Sequence, residues 1–179
     1  MPATLKRRSS SRRKKSANSR GSRMGKDALT LLKEDHQKVR QMLKRLQSNA
    51  TEDLLNQVET ELKIHTQIEE EIFYPAFRDA LLSHKDEHLY FEAIEEHHVV
   101  DLVLPEIMES SEGSEEFDAK AKVLKDLVEH HAEEEEKQMF PKARKVMNAS
   151  QLRELGEQLK DRKQDLMGYM RIRSRRRAA

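Results

Sequence analysis

The sequence predicts an all-α protein, and three observations carry that expectation. From Asp27 to about Leu166 apolar residues recur at three- and four-residue steps, no stretch alternates apolar with polar residues as a strand does, and β-branched residues do not cluster. A chain of 179 residues with a hydrophobic fraction of 36% has enough for one modest core and too little for two. It contains no cysteine, which excludes disulfides, thiolate metal sites and cysteine nucleophiles. The net charge of +1 conceals three unlike segments. Residues 1–26 carry ten Lys or Arg and no acid, residues 171–179 carry five Arg and no acid, and the 144 residues between hold 19 basic against 33 acidic side chains.

A first helix is expected over 27–48, where Leu29, Leu32, His36, Val39, Leu43 and Leu46 form one stripe with a histidine lodged in it. Thr51, followed by Glu52 and Asp53, supplies an N-cap and an acidic first turn for a second helix over 52–82. Ser83 and Asp86 mark a short turn into a third helix that runs to about Glu109, with Tyr90, Ile94, His97, Val100, Leu104 and Met108 on one face. Pro105 is expected to kink or shorten it. The segment SSEGSEE at 110–116 is a loop, and a fourth helix is expected over 115–147. After a break at 148–150, a short amphipathic helix over 151–168 is expected to pack on the outside. Short connections between long helices favour an antiparallel up-down four-helix bundle over 27–147. The basic segment 1–26 and the chain end after the last helix have nothing to bury against the entropy of ordering, so both read as disordered arms. No apolar run approaches the roughly 18–20 residues of a membrane span, and the basic N-terminus lacks the apolar core of a secretion signal. A cytoplasmic protein is expected.

The chemistry lies in an internal echo. Residues 65–75 read HTQIEEEIFYP and residues 131–141 read HAEEEEKQMFP. Each has His, then Glu at +4 and +5, an aromatic at +9 and Pro at +10. A His and a Glu four residues apart lie about 40° apart around a helix and about 6 Å apart along it, so both can face one interior. With His36 and His97 from the other two helices, four imidazoles and two carboxylates converge. Two adjacent metal ions need such a set, because a carboxylate can bridge a pair and neutral imidazole suits iron, whereas a lone zinc leaves ligands unused. His97 continues an apolar stripe while His98 does not, and His131 rather than His130 matches His65. His84 and His88 read as surface residues, and Pro75 and Pro141 are expected to kink or end their helices just beyond the ligands. Glycine-rich phosphate loops and nucleophile elbows are missing from the sequence.

In these features the sequence resembles the hemerythrin-like, or HHE cation-binding, family. The matching elements are Asp35-His36, HxxxEE followed by Tyr74-Pro75, Glu96-His97, and HxxxEE followed by Phe140-Pro141. The resemblance covers about 27–147 and implies an oxo- or hydroxo- and carboxylate-bridged centre of two iron ions. By the same resemblance His36 and His65 hold one iron, His97 and His131 the other, and Glu69 and Glu135 bridge them. Oxygen-carrying members have a further histidine one turn from the third-helix ligand. Here Ala93 and Asp101 hold the turn-related positions, which leaves more open coordination.

The function expected is binding of dioxygen or a related small oxidant at a non-haem diiron centre, for oxygen or iron handling or for sensing. A peroxidase- or oxidase-type enzyme on the same centre is the alternative. A third reading assigns the fifteen cations of 1–26 and 171–179 to nucleic acid or another polyanion. No aromatic residue is interleaved with them to stack on bases.

Overall fold

The computed structural model describes the backbone of residues 25–177 and the side chains of 25–172; of the basic arm expected at 1–26, residues 1–24 lie outside the described residues. Every regular element is helical, and no strand occurs among the described residues. Helix α1 spans Ala28–Ser48 and is capped by Asp27, whose carboxylate accepts from the Thr30 amide at 2.8 Å. Helix α2 spans Glu52–Ile68, with Thr51 accepting from the Leu54 amide at its N-terminus as the sequence suggests. Past a 3₁₀ turn at His84–Asp86, α4 covers His88–Glu109. Pro105 does not end it; the helix continues four residues beyond. Helix α5, Glu115–Glu134, starts on a Ser114 cap.

The second and fourth expected helices each come in three pieces. After α2 the chain makes a π-helical turn, Glu69–Phe73, and resumes as α3, Tyr74–Ala80. After α5 it makes the matching π turn, Glu135–Met139, and resumes as α6, Phe140–Val146. In a regular α-helix Pro75 and Pro141 would press their rings on the carbonyls four residues back and leave them without a donor. A wider turn is one way past such a residue, and here the Tyr74 and Phe140 amides reach back five residues to the Glu69 and Glu135 carbonyls. Each proline thus begins a new helical segment rather than ending one.

Two apolar clusters fill the bundle. One contains Leu29, Leu32, Ile68, Phe73, Phe77 and Phe140, the other Val39, Leu43, Leu62, Val100, Leu104 and Val128. On α1 the stripe passes from Leu32 in the first cluster through His36 to Val39 in the second, and on α4 from Ala93 through His97 to Val100. A polar layer therefore separates two dry halves.

Helix α7 corrects two expectations. It spans Ala149–Arg177, the longest helix, where a short helix over 151–168 and then a disordered tail from 171 are expected. Arginine is a good helix former, no Gly or Pro follows Gly168, and cations at a helix C-terminus suit its dipole. Nor is α7 a peripheral addition: Leu152, Leu159 and Leu166 recur every seven residues and are buried in the first cluster against α1 and α2. Its approach is set by Gly156, where an added Cβ would stand 2.3 Å from the Lys26 carbonyl oxygen and 3.0 Å from the Ala28 amide nitrogen. Gly156→Ala gains helix propensity of up to about 1 kcal/mol but must push two backbones apart. We expect a net loss of about 1–2 kcal/mol in urea unfolding, with the transition remaining a single step.

Candidate metal centre

His36 on α1, His65 on α2, His97 on α4, His131 on α5, and Glu69 and Glu135 at the first positions of the two π turns meet in the polar layer. These six are the buried polar or charged residues among the described residues, none more than 6% exposed. His36 Nε2 lies 3.0 Å from Glu135 Oε2 and 3.9 Å from Glu69 Oε1. Glu69 Oε2 lies 3.3 Å from His65 Nε2 and 3.4 Å from His97 Nε2, and His131 Nε2 stands 3.7 Å from Glu135 Oε2. Ligand atoms of His36, His65, Glu69 and Glu135 fall within 4.8 Å of one another, as do those of Glu69, His97 and His131.

A second tier of acids faces the outer edge of each ring. His36 Nδ1 is 3.0 Å from Glu136 Oε1, His97 Nδ1 is 2.8 Å from Glu70 Oε1, and His131 Nδ1 is 2.7 Å from Glu96 Oε2. The fourth ring, His65, has Asp35 Oδ2 at 3.8 Å, within ion-pair range but beyond a hydrogen bond. Every one of these acids is the sequence neighbour of one of the six residues and faces a ring on another helix. Asp35 on α1 faces the ring on α2, Glu70 after α2 the ring on α4, Glu96 on α4 the ring on α5, and Glu136 after α5 the ring on α1. A carboxylate only accepts, so it holds the proton on Nδ1 and turns Nε2 inward as a donor to metal. The acids are visible in the sequence beside the ligands; which ring each serves depends on the helix arrangement.

Two observations test whether this layer suits a cation. Seven buried atoms have no hydrogen-bond partner: His36 Nε2, both nitrogens of His65, and all four carboxylate oxygens of Glu69 and Glu135. Buried polar groups are nearly always paired, so this concentration marks a place built for something else. In addition, His97 Nε2 and His131 Nε2 approach to 3.1 Å while both rings present Nδ1 to carboxylates. With those outer protons in place the two inner lone pairs face each other, an arrangement that calls for a proton or a metal between them. The donors are nitrogen and oxygen without sulfur, a set that suits iron and other first-row divalent ions.

The electrostatics of the metal-free layer fit the same view. Burial lowers the pKa of His36, but the carboxylates of Glu135 and Glu136 beside it outweigh burial and raise the ring to about 9. Burial takes His65 down to about 4, so it is neutral and ready to ligate. The two inner carboxylates split as like charges must. Burial and Glu135 push Glu69 up, while His131 and His36 overcome burial and hold Glu135 below the usual carboxylate range. The His36 hydrogen bond, opposed by burial and aided by Arg40, brings Glu136 to about 2.

Other sequence expectations sort cleanly. His84, His88, His98, Asp101 and His130 are all exposed and lie outside the layer. Ile68 and Val100 are buried as water-excluding neighbours, with Ile72 and Ile94 partly so. Tyr74, named in the sequence only as part of a motif, proves to be fully buried with Oη 3.2 Å from His97 Nε2. Burial and the charges of Glu135 and Glu69 raise its pKa, which keeps the phenol protonated. Its position, nine residues after His65, was the available signal.

The hemerythrin HHE cation-binding domain profile matches residues 27–143. The chain belongs to the hemerythrin HHE cation-binding family. The fold agrees: a crystal structure of a hemerythrin HHE cation-binding domain-containing protein from Mycobacterium kansasii is similar, with a TM-score of 0.72 and 26% identity over 84% of this chain and 93% of that one. Comparison with curated proteins gives no match. As an HHE domain the bundle is a metal-binding unit, and the unpaired donors are compatible with that.

A metal ion bound at His36 would displace the proton that the ring holds up to about 9. The apparent affinity for cobalt(II) or iron(II), titrated without oxygen, is therefore expected to rise about tenfold per pH unit from neutrality to about 9 and then level. Glu136→Gln removes one of the two acids that raise His36, so the levelling point should move part of the way toward ordinary histidine values.

Proposed function

We propose that this bundle holds two iron ions and presents them to dioxygen or a related small oxidant, in oxygen or iron handling or in sensing. His36 and His65 would hold one ion, His97 and His131 the other, and Glu69 and Glu135 would join them. The observation that carries this reading is the set of unpaired inner nitrogens and carboxylate oxygens, too many donors for one tetrahedral ion. A bound iron pair would supply electrons to an oxidant. The chain's own residues do the rest. The outer acids keep three of the four imidazoles turned inward, and the two apolar clusters keep bulk water away from the layer. A cavity of about 20 Å³ beside the imidazoles, walled by Val39, Leu62, Val100, Val128 and Ala132, limits the guest to a molecule of a few atoms. The arrangement is further proposed to be an up-down antiparallel bundle of four helical legs, with α3 and α6 as continuations of the second and fourth.

One observation favours the enzymatic alternative. The Tyr74 hydroxyl brings a protonated O–H donor into the layer beside His97, as breaking down a peroxide requires. Iron content and peroxide turnover decide between the readings. Two irons per chain are expected, lost in His131→Ala and Glu135→Ala; less than one iron, with zinc in its place, overturns both. Peroxide turnover that falls in Tyr74→Phe at full iron content selects the enzyme.

The basic segments 1–26 and 171–179 are proposed as a polyanion footprint. Duplex DNA binding near 50 mM salt that weakens steeply with added salt and disappears on deleting 1–26 is the expected result.

A further inference from the structure

The four imidazoles are not held alike, and the cause lies outside the family-matched segment. Three rings meet their outer acid at 2.7–3.0 Å. His65 does not: Asp35 Oδ2 stands 3.8 Å from its Nδ1, and that nitrogen is buried without a hydrogen-bond partner. Asp35 is engaged elsewhere, because its Oδ1 accepts from the Lys163 ammonium on α7. Lys163 lies twenty residues beyond the end of the profile match.

We propose that Lys163 is a positioning residue that draws Asp35 away from His65 and leaves His65 the most loosely held of the four imidazoles. Resting on the metal reading of the Proposed function, this makes the ion held by His36 and His65 the one that leaves and enters more readily. A ring that donates its outer N–H to a carboxylate is both oriented and more basic, and losing such a partner typically weakens a metal site about 10–100-fold. Three rings have that support and one is denied it. Helix α7 is in turn pinned one residue earlier, where Arg162 Nε and Nη2 reach the two oxygens of Glu71 at 2.7 and 3.0 Å. That fork fixes the register of α7 on the first π turn and so sets where Lys163 sits. It also leaves α7 anchored when Lys163 is changed.

The test uses the full chain carrying Lys163→Met, with Lys163→Arg as the conservative variant and thermal unfolding as a check that α7 stays docked. Nitrogen-15 spectra of the metal-free protein should show a hydrogen-bonded His65 Nδ1–H in Lys163→Met, absent in the parent and in Lys163→Arg, and lost again in Lys163→Met/Asp35→Ala. In the iron-loaded protein, removal of ions by a chelator should proceed in two phases, and Lys163→Met should slow the faster phase about tenfold while leaving the slower unchanged. An unchanged His65 resonance, an equal slowing of both phases, or a gain that survives Asp35→Ala overturns the proposal. A protein that shows the resonance change yet never holds two ions overturns the diiron reading instead, and leaves Lys163's hold on Asp35 established.

Discussion

Six ionisable side chains occupy one layer across the middle of a bundle whose remaining interior is apolar, and each must find compensation there. Placing a charge in such a medium costs several kcal/mol unless it is paired. The chain meets this with a closed circuit of acids and imidazoles. Each helical leg lends an acid to the ring of the next, from α1 to the α2 leg, from that leg to α4, from α4 to the α5 leg and from there back to α1. On the outer side three of the four rings are paired with an acid, and on the inner side donors face one another without partners. A cation is the missing partner. In its absence His36 holds an extra proton, and burial beside Glu135 raises the pKa of Glu69.

The backbone is shaped around the same layer. Glu69 and Glu135 each stand at the first residue of a π turn, and Pro75 and Pro141 follow in the helical segments after these turns. The wider turn shifts everything after it relative to a straight helix, which lets Phe73, Tyr74 and Phe140 pack over the layer as a tight aromatic group. His36 stacks on Phe140 with the planes 8° apart, and Tyr74 stacks on His97. Two copies of one sequence motif thus make two copies of one backbone device. They differ at the aromatic position, where Tyr74 carries a hydroxyl toward the metal layer and Phe140 does not.

The fifth helix breaks the symmetry of the four. It contributes to the same apolar cluster as α1 and α2, so its docking is part of the core, and from that position its cations reach Asp35 and Glu71 at the rim of the layer. A metal layer whose acids were all free to turn inward would be evenly supported. With one acid claimed from outside, it is not.

The amino-acid sequence by itself determined the helical class, the family and the six inward donors, because each rests on local periodicity: a 3.6-residue repeat puts His36 and His97 in apolar stripes, and the doubled HxxxE spacing puts a carboxylate on the same face as its histidine. The prolines were legible as interruptions, but not the π turns they accompany, since propensity cannot tell a stop from a wider turn. Asp35, Glu70, Glu96 and Glu136 were legible as acids next to the six donors, yet each faces a ring on a different helix, and such facing exists only once the helices are side by side. The length of α7 was underestimated because a run of arginines resembles a solvated tail in composition while remaining compatible with a helix. Tertiary structure alone decided that Lys163 meets Asp35, 128 residues earlier in the chain, because no local pattern encodes which charge a fifth helix will carry to the edge of a layer built by four others.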